Sequence, residues 1–130
     1  MRIAVLVCFL LLSGCQSNPF RDDVPPKLFN QMQSYEDTVR WGELQNLYLF
    51  TSPEAVKSAK IPEDLDNVRV TGYESSPLRQ IDETRWAVTA VIDYVLIDRQ
   101  VVRQAVDNQV WVSDDGGKSW FLDSPVPQFR

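Results

Sequence analysis

Residues 86–97 read Trp-Ala-Val-Thr-Ala-Val-Ile-Asp-Tyr-Val-Leu-Ile, and residues 101–113 read Val-Val-Arg-Gln-Ala-Val-Asp-Asn-Gln-Val-Trp-Val-Ser. Both are rich in β-branched and aromatic residues, which favour a pleated, half-buried surface, and the first alternates with a period of two. Only Asp98-Arg99-Gln100 separates them, a joint short enough for a hairpin. Asp115-Gly116 is a second hairpin signal, because glycine accepts the left-handed backbone that tight turns need. Val68 to Tyr73 supplies an earlier alternating stretch and Lys118 to Leu122 a later one. Together these segments predict a four-stranded antiparallel meander.

Alternation also assigns faces. Trp86, Val88, Ala90, Ile92, Tyr94 and Leu96 share one side of the second strand. That side is nearly all apolar and is expected to meet the helices. Arg85, Thr89 and Asp93 point the other way. On the third strand, Arg103, Asp107, Gln109 and Trp111 share a side, which the polar content assigns to the second, semi-polar face. A tryptophan and an arginine exposed together suggest a contact surface, so Trp111, Arg103 and Gln109 are the candidate partner surface.

Upstream the period changes. Pro25-Pro26 can open a helix, since a first-turn proline gives up no needed hydrogen bond. Leu28, Met32, Tyr35 and Val39 then form one apolar stripe, and Trp41-Gly42 breaks it. A second helix is expected with Leu44, Leu47 and Tyr48 inside. Ser52-Pro53-Glu54 opens a short third one, with serine as cap, proline first and an acid in the first turn. The class is therefore α+β, with N-terminal helices packed on a curved antiparallel sheet.

The start of the chain reads differently. Met1-Arg2 is a short positive end, and Ile3 to Leu12 is an unbroken apolar run. Ten helical residues span roughly 15 Å, half a hydrocarbon core, so the run reads as an export signal and not as a membrane span. Leu12-Ser13-Gly14-Cys15 resembles the lipobox of bacterial lipoproteins. That resemblance implies removal of residues 1–14, lipidation of Cys15 with palmitate-like acyl chains, and a position facing the periplasm. Gln16, where aspartate tends to retain such proteins in the inner membrane, implies the outer membrane; the inner membrane is the alternative. Two or three acyl chains would meet the need for more than one hydrophobic anchor. Residues 15–25 then form the lipidated cysteine and a polar tether reaching at most about 35 Å, and residues 26–130 a single domain.

Loss of residues 1–14 would leave 12 basic residues against 18 acidic ones, a net charge of −6. Nucleic acid is disfavoured, since it needs a basic footprint. There is no histidine, and Cys8 and Cys15 are the two cysteines; with Cys8 cut away and Cys15 acylated, no thiol remains. Transition-metal sites and histidine relays are excluded on that basis, and no cofactor is expected.

The order of a tyrosine-bearing helix, two further helices and a curved antiparallel sheet over Pro26 to Leu122 resembles the NTF2-like superfamily; a cystatin-like domain is the rival architecture. The resemblance implies a cone with a pocket between sheet and helices, which Tyr35, Tyr48 and Tyr94 are placed to line. Asp93 beside Tyr94 is excluded as an acid–base pair, because adjacent strand residues face opposite sides. Residues 113–120, Ser-Asp-Asp-Gly-Gly-Lys-Ser-Trp, match the Asp-box pattern. That resemblance implies a structural hairpin in which Asp115 ties down turn amides and Trp120 packs inward. Gly117-Lys118-Ser119 is not a P-loop, because Val112 stands where the leading glycine belongs. The expected function is a non-catalytic, lipid-anchored binding or assembly module of the envelope. Its partners would be the membrane through its lipid and another envelope protein or itself. A small-molecule-binding or enzymatic pocket domain is the alternative.

Overall fold

The computed structural model describes residues 24–130. The signal segment, Cys15 and the tether up to residue 23 lie outside the described residues. Helix α1 runs Pro26–Trp41 and buries Leu28, Tyr35 and Val39 along the stripe read from the sequence. It stops at Gly42, whose N–H reaches Thr38 O at 3.0 Å. A Cβ at Gly42 would lie 3.1 Å from the Thr38 backbone, so glycine lets the chain turn this closely without displacing Thr38.

The expected second helix is a 3-10 helix, Leu44–Phe50. Its apolar residues explain the difference. Leu44, Leu47 and Phe50 recur every third position, the spacing that eclipses side chains in a 3-10 helix. Helix α2, Pro53–Ser58, starts as expected, with Ser52 Oγ accepting from Ala55 N–H at 3.3 Å. A further 3-10 turn, Leu65–Asn67, buries Leu65.

The sheet has five strands, all antiparallel, not four: β1 Val68–Ser75, β2 Arg79–Asp82, β3 Arg85–Leu96, β4 Val101–Val112 and β5 Phe121–Leu122. β1 and β2 lie end to end along the same side of β3, while β4 and then β5 follow on its other side. Between β1 and β2, Ser76 N–H donates to Thr89 O at 2.8 Å, and Ser76 Oγ accepts Thr89 N–H at 3.0 Å. Pro77 interrupts the ladder there, since it has no N–H to give. The long β3–β4 hairpin pairs Arg85 with Val112 through to Leu96 with Val101, with no shift of register.

That register corrects one expectation. Trp111 stands opposite Trp86, Gln109 opposite Val88, Asp107 opposite Ala90 and Arg103 opposite Tyr94. Directly opposed residues in an antiparallel pair share a face, so these β4 residues point toward the helices. Trp111 and Gln109 are buried, and only Arg103, near the strand's start, is exposed. They form no outward partner surface.

The core lies between the inner sheet face and the helical segments. Trp86, Val88, Ile92, Tyr94 and Leu96 meet Leu28, Tyr35, Val39, Leu44 and Leu47, and Val126 and Phe129 of the C-terminal segment close one margin. Thr51 forms an isolated parallel bridge with Leu122. The turn from β4 to β5 is organised by Asp115, whose Oδ1 accepts the N–H groups of Lys118 at 3.0 Å and Ser119 at 2.9 Å. Gly116 and Gly117 hold φ of +73° and +87°, which L side chains rarely adopt. Trp120 is buried beside this turn.

Candidate functional site

Two regions carry residues with chemical or recognition potential. The first lies inside. Tyr35, on α1, donates its hydroxyl proton to Asp107 Oδ2 at 2.7 Å. Gln109 Nε2 donates to the same oxygen at 3.0 Å and to Tyr73 Oη at 2.9 Å, and Trp111 Nε1 donates to Gln109 Oε1 at 3.0 Å. Ala90, the small residue opposite Asp107, leaves room for the carboxyl group. Tyr35, Phe50 and Trp111 meet edge to face around it, with ring centroids 5.3 to 6.3 Å apart.

Burial governs the electrostatics of this network. Asp107 is only 2 % exposed, and loss of water raises its carboxyl above the ordinary carboxylate range, against the opposing pull of the hydrogen bonds from Tyr35 and Gln109. The Tyr35 hydroxyl is pushed far up by burial and by the neighbouring Asp107. Tyr73 is half-buried and is pushed up to about 12, again chiefly by burial.

Of these groups Tyr73 borders a cleft of about 140 Å³ that also involves Phe29, Met32, Glu36 and Leu78. A general base must come within hydrogen-bond reach of the proton it abstracts, and Asp107 does not line this cleft. As arranged, the network fixes the packing of α1 on the sheet.

The three tyrosines named from the sequence share no hydrogen-bond partner. Tyr35 ends on Asp107. Tyr48 is buried in the 3-10 helix, where its carbonyl accepts from Thr51 Oγ1 at 2.6 Å. Tyr94 lies against Phe129, with centroids 5.1 Å apart, and its hydroxyl donates to the Arg130 carbonyl at 3.0 Å. None of the three lines the clefts described for residues 24–130, and Tyr94 instead tethers the C-terminal segment.

The second region lies outside. Trp41, the last residue of α1, is 81 % exposed. Arg40 stands 5.8 Å from its ring centroid and also pairs with Glu36 at 3.2 Å. Two grooves, of about 440 and 490 Å³, flank the indole; they share Trp41, Arg69, Val70 and Ile97. Ile97 is itself exposed, and Arg69 makes no ion pair among the described residues. An exposed tryptophan with arginines and apolar neighbours has the composition of an interface centre.

In the sequence Trp41 marks the end of the α1 stripe and counts among four tryptophans expected in the core or at its rim. Its phase held the signal: two residues past Val39 it lies well off the Leu28–Val39 stripe, on the polar side of α1. Asp107 and Tyr73 were missed as partners because they come from different strands and meet only once β1, β3 and β4 are in register.

Among the described residues, no helix is long and apolar enough to cross a membrane, and no three metal-ligating side chains converge. No protein-family model, curated protein or solved structure matches the chain.

Proposed function

We propose that the protein is a lipid-anchored module facing the periplasm, held at the outer membrane through Cys15, that binds or assembles another envelope component without catalysing a reaction. The observation that carries this reading is Trp41, exposed between two grooves beside Arg40 and Arg69. An indole left in water at the end of a helix gains most by being covered. The inner cleft, at about 140 Å³, falls below the roughly 300–1,000 Å³ of small-molecule sites, whereas the grooves beside Trp41 reach that size, so binding is assigned to the Trp41 surface and not to the interior. Restriction to one membrane would raise the effective concentration of the Trp41 surface toward anything held there.

Two experiments test the two halves. Cells fed labelled palmitate should incorporate it into the wild-type chain and not into Cys15→Ala; equal labelling of both removes the anchor from the proposal. A photo-crosslinking residue at position 41 should trap a discrete envelope species that the same residue at exposed Glu63 does not. Identical patterns from both positions overturn the binding role of the Trp41 surface.

A further inference from the structure

The two margins of the sheet are built differently. On one, β1 carries a register shift between Val70 and Gly72, the ladder breaks at Pro77, and α1 packs against the strand. Bulges, prolines and covering helices are the usual means of blunting an edge. On the other margin, β5 covers only Trp111 and Val112. Beyond it, Asp123 N–H donates to Val110 O at 2.7 Å and Ser124 Oγ accepts Val110 N–H at 3.1 Å. Pro125 and Pro127 then accompany the chain as it leaves for Tyr94.

Val110 therefore turns both backbone groups away from β3. In an antiparallel ladder alternate residues turn the same way, and β3–β4 pairing has no shift. Val102, Gln104, Val106 and Asn108 thus present four N–H and four C=O groups outward, and none of these groups bonds to a described residue. The stretch 101–108 contains no proline, glycine, lysine or bulge. Val102 and Val106 on it are 77 % and 59 % exposed.

We propose that this edge pairs antiparallel with the same edge of a second copy of the chain, about a two-fold axis at Ala105. Only a pairing centred there engages all four outward-facing residues of both copies: Val102 with Asn108, and Gln104 with Val106. The ladder then gains eight hydrogen bonds. The same register sets Arg103 of each copy opposite Asp107 of the other, on the inner face. Arg103 makes no ion pair among the described residues, and Asp107 receives its hydrogen bonds from one side, on Oδ2. Opposite charges directly across a ladder favour the pair. Ala105 meets its own copy at the axis, where a non-hydrogen-bonded pair brings backbones to about 4.5 Å and a small side chain fits.

A second copy suits this edge better than an unrelated strand because Arg103 and Asp107 lie two residues to either side of Ala105, so each meets the other across the axis. The axis stands perpendicular to the sheet, so both inner faces stay on one side. Both Trp41 surfaces, which lie by β1, remain free at the outer margins. The inference rests on the edge alone; the Cys15 anchor and the Trp41 surface can fail with the pairing intact.

The test is disulfide capture in cells expressing the full chain. With a mild oxidant, Ala105→Cys should yield a covalent homodimer well above wild type, while Glu74→Cys on the opposite margin should not. Arg103→Glu, combined with Ala105→Cys, places an acid opposite Asp107 and should cut the dimer yield about tenfold. Arg103 is exposed, so this change leaves the fold in place. No dimer from Ala105→Cys, equal yields from Ala105→Cys and Glu74→Cys, or a heteromeric adduct in place of the homodimer would each overturn the pairing with a second copy.

Discussion

Beneath the sheet the molecule hides polar groups; at the far end of α1 it displays an apolar one. Asp107, Gln109 and the Tyr35 hydroxyl are buried and mutually bonded, whereas Trp41 stands in solvent. Trp111 and Trp41 put the contrast in one residue type, the first fully buried and the second exposed. Strand register decides the one and helix phase the other. Residue type alone decides neither.

The contrast breaks most sharply at Trp111. Trp111→Ala removes a fully buried side chain and the ring packed against Tyr35 and Phe50. It should cost about 3–5 kcal/mol, the range for large aromatic deletions in cores, measured by denaturant unfolding. Tyr35→Phe is next. It takes the hydroxyl donor from a buried carboxyl group and should cost about 1–3 kcal/mol, with the far-UV spectrum unchanged.

The pH dependence sharpens the inner half of the comparison. Burial raises the Asp107 carboxyl in the folded chain, while in the unfolded chain an aspartate titrates near 3.9. The folded state holds that proton more tightly. Its contribution to stability is therefore fully present below the unfolded value and is lost as pH rises through the raised folded one. Asp107→Asn should lack that decline, seen as a difference between the two stability-against-pH curves. Asp115, held at about 2 chiefly by hydrogen bonds from Ser119, acts with the opposite sign: its contribution is present above the unfolded value and lost as pH falls. Asp115→Ala should lower the melting temperature at neutral pH and narrow its gap to wild type in acid. The smallest effect belongs to Trp41→Ala, expected within about 0.5 kcal/mol of wild type, although it removes the ring on which the proposed binding rests.

Much of this fold was legible. The stripe Leu28–Val39, the cap at Ser52 and the alternation from Trp86 to Leu96 each name an element that the structure contains. β2 was not legible, because its four residues are all exposed and carry no alternation of burial to read. The inner placement of Asp107, Gln109 and Trp111 was lost for a different reason. Polar content pointed outward, whereas the β3–β4 register, with Leu96 paired to Val101, fixed those residues inward. The acceptability of Asp107 inside depends on Tyr35, which lies 72 positions away; no local pattern announces such a partner.

That separation also bears on how the chain folds. Tyr35 waits for Asp107, and Thr51 waits for Leu122. Helix α1, sixteen residues long, draws most of its stability from packing its buried stripe on the rest of the molecule. Native contacts of such high sequence separation slow the search and favour late, concerted acquisition of structure. A chain in which β4 has not yet joined the sheet leaves the hydroxyl of Tyr35 without its acceptor, so commitment to the native state waits for that strand.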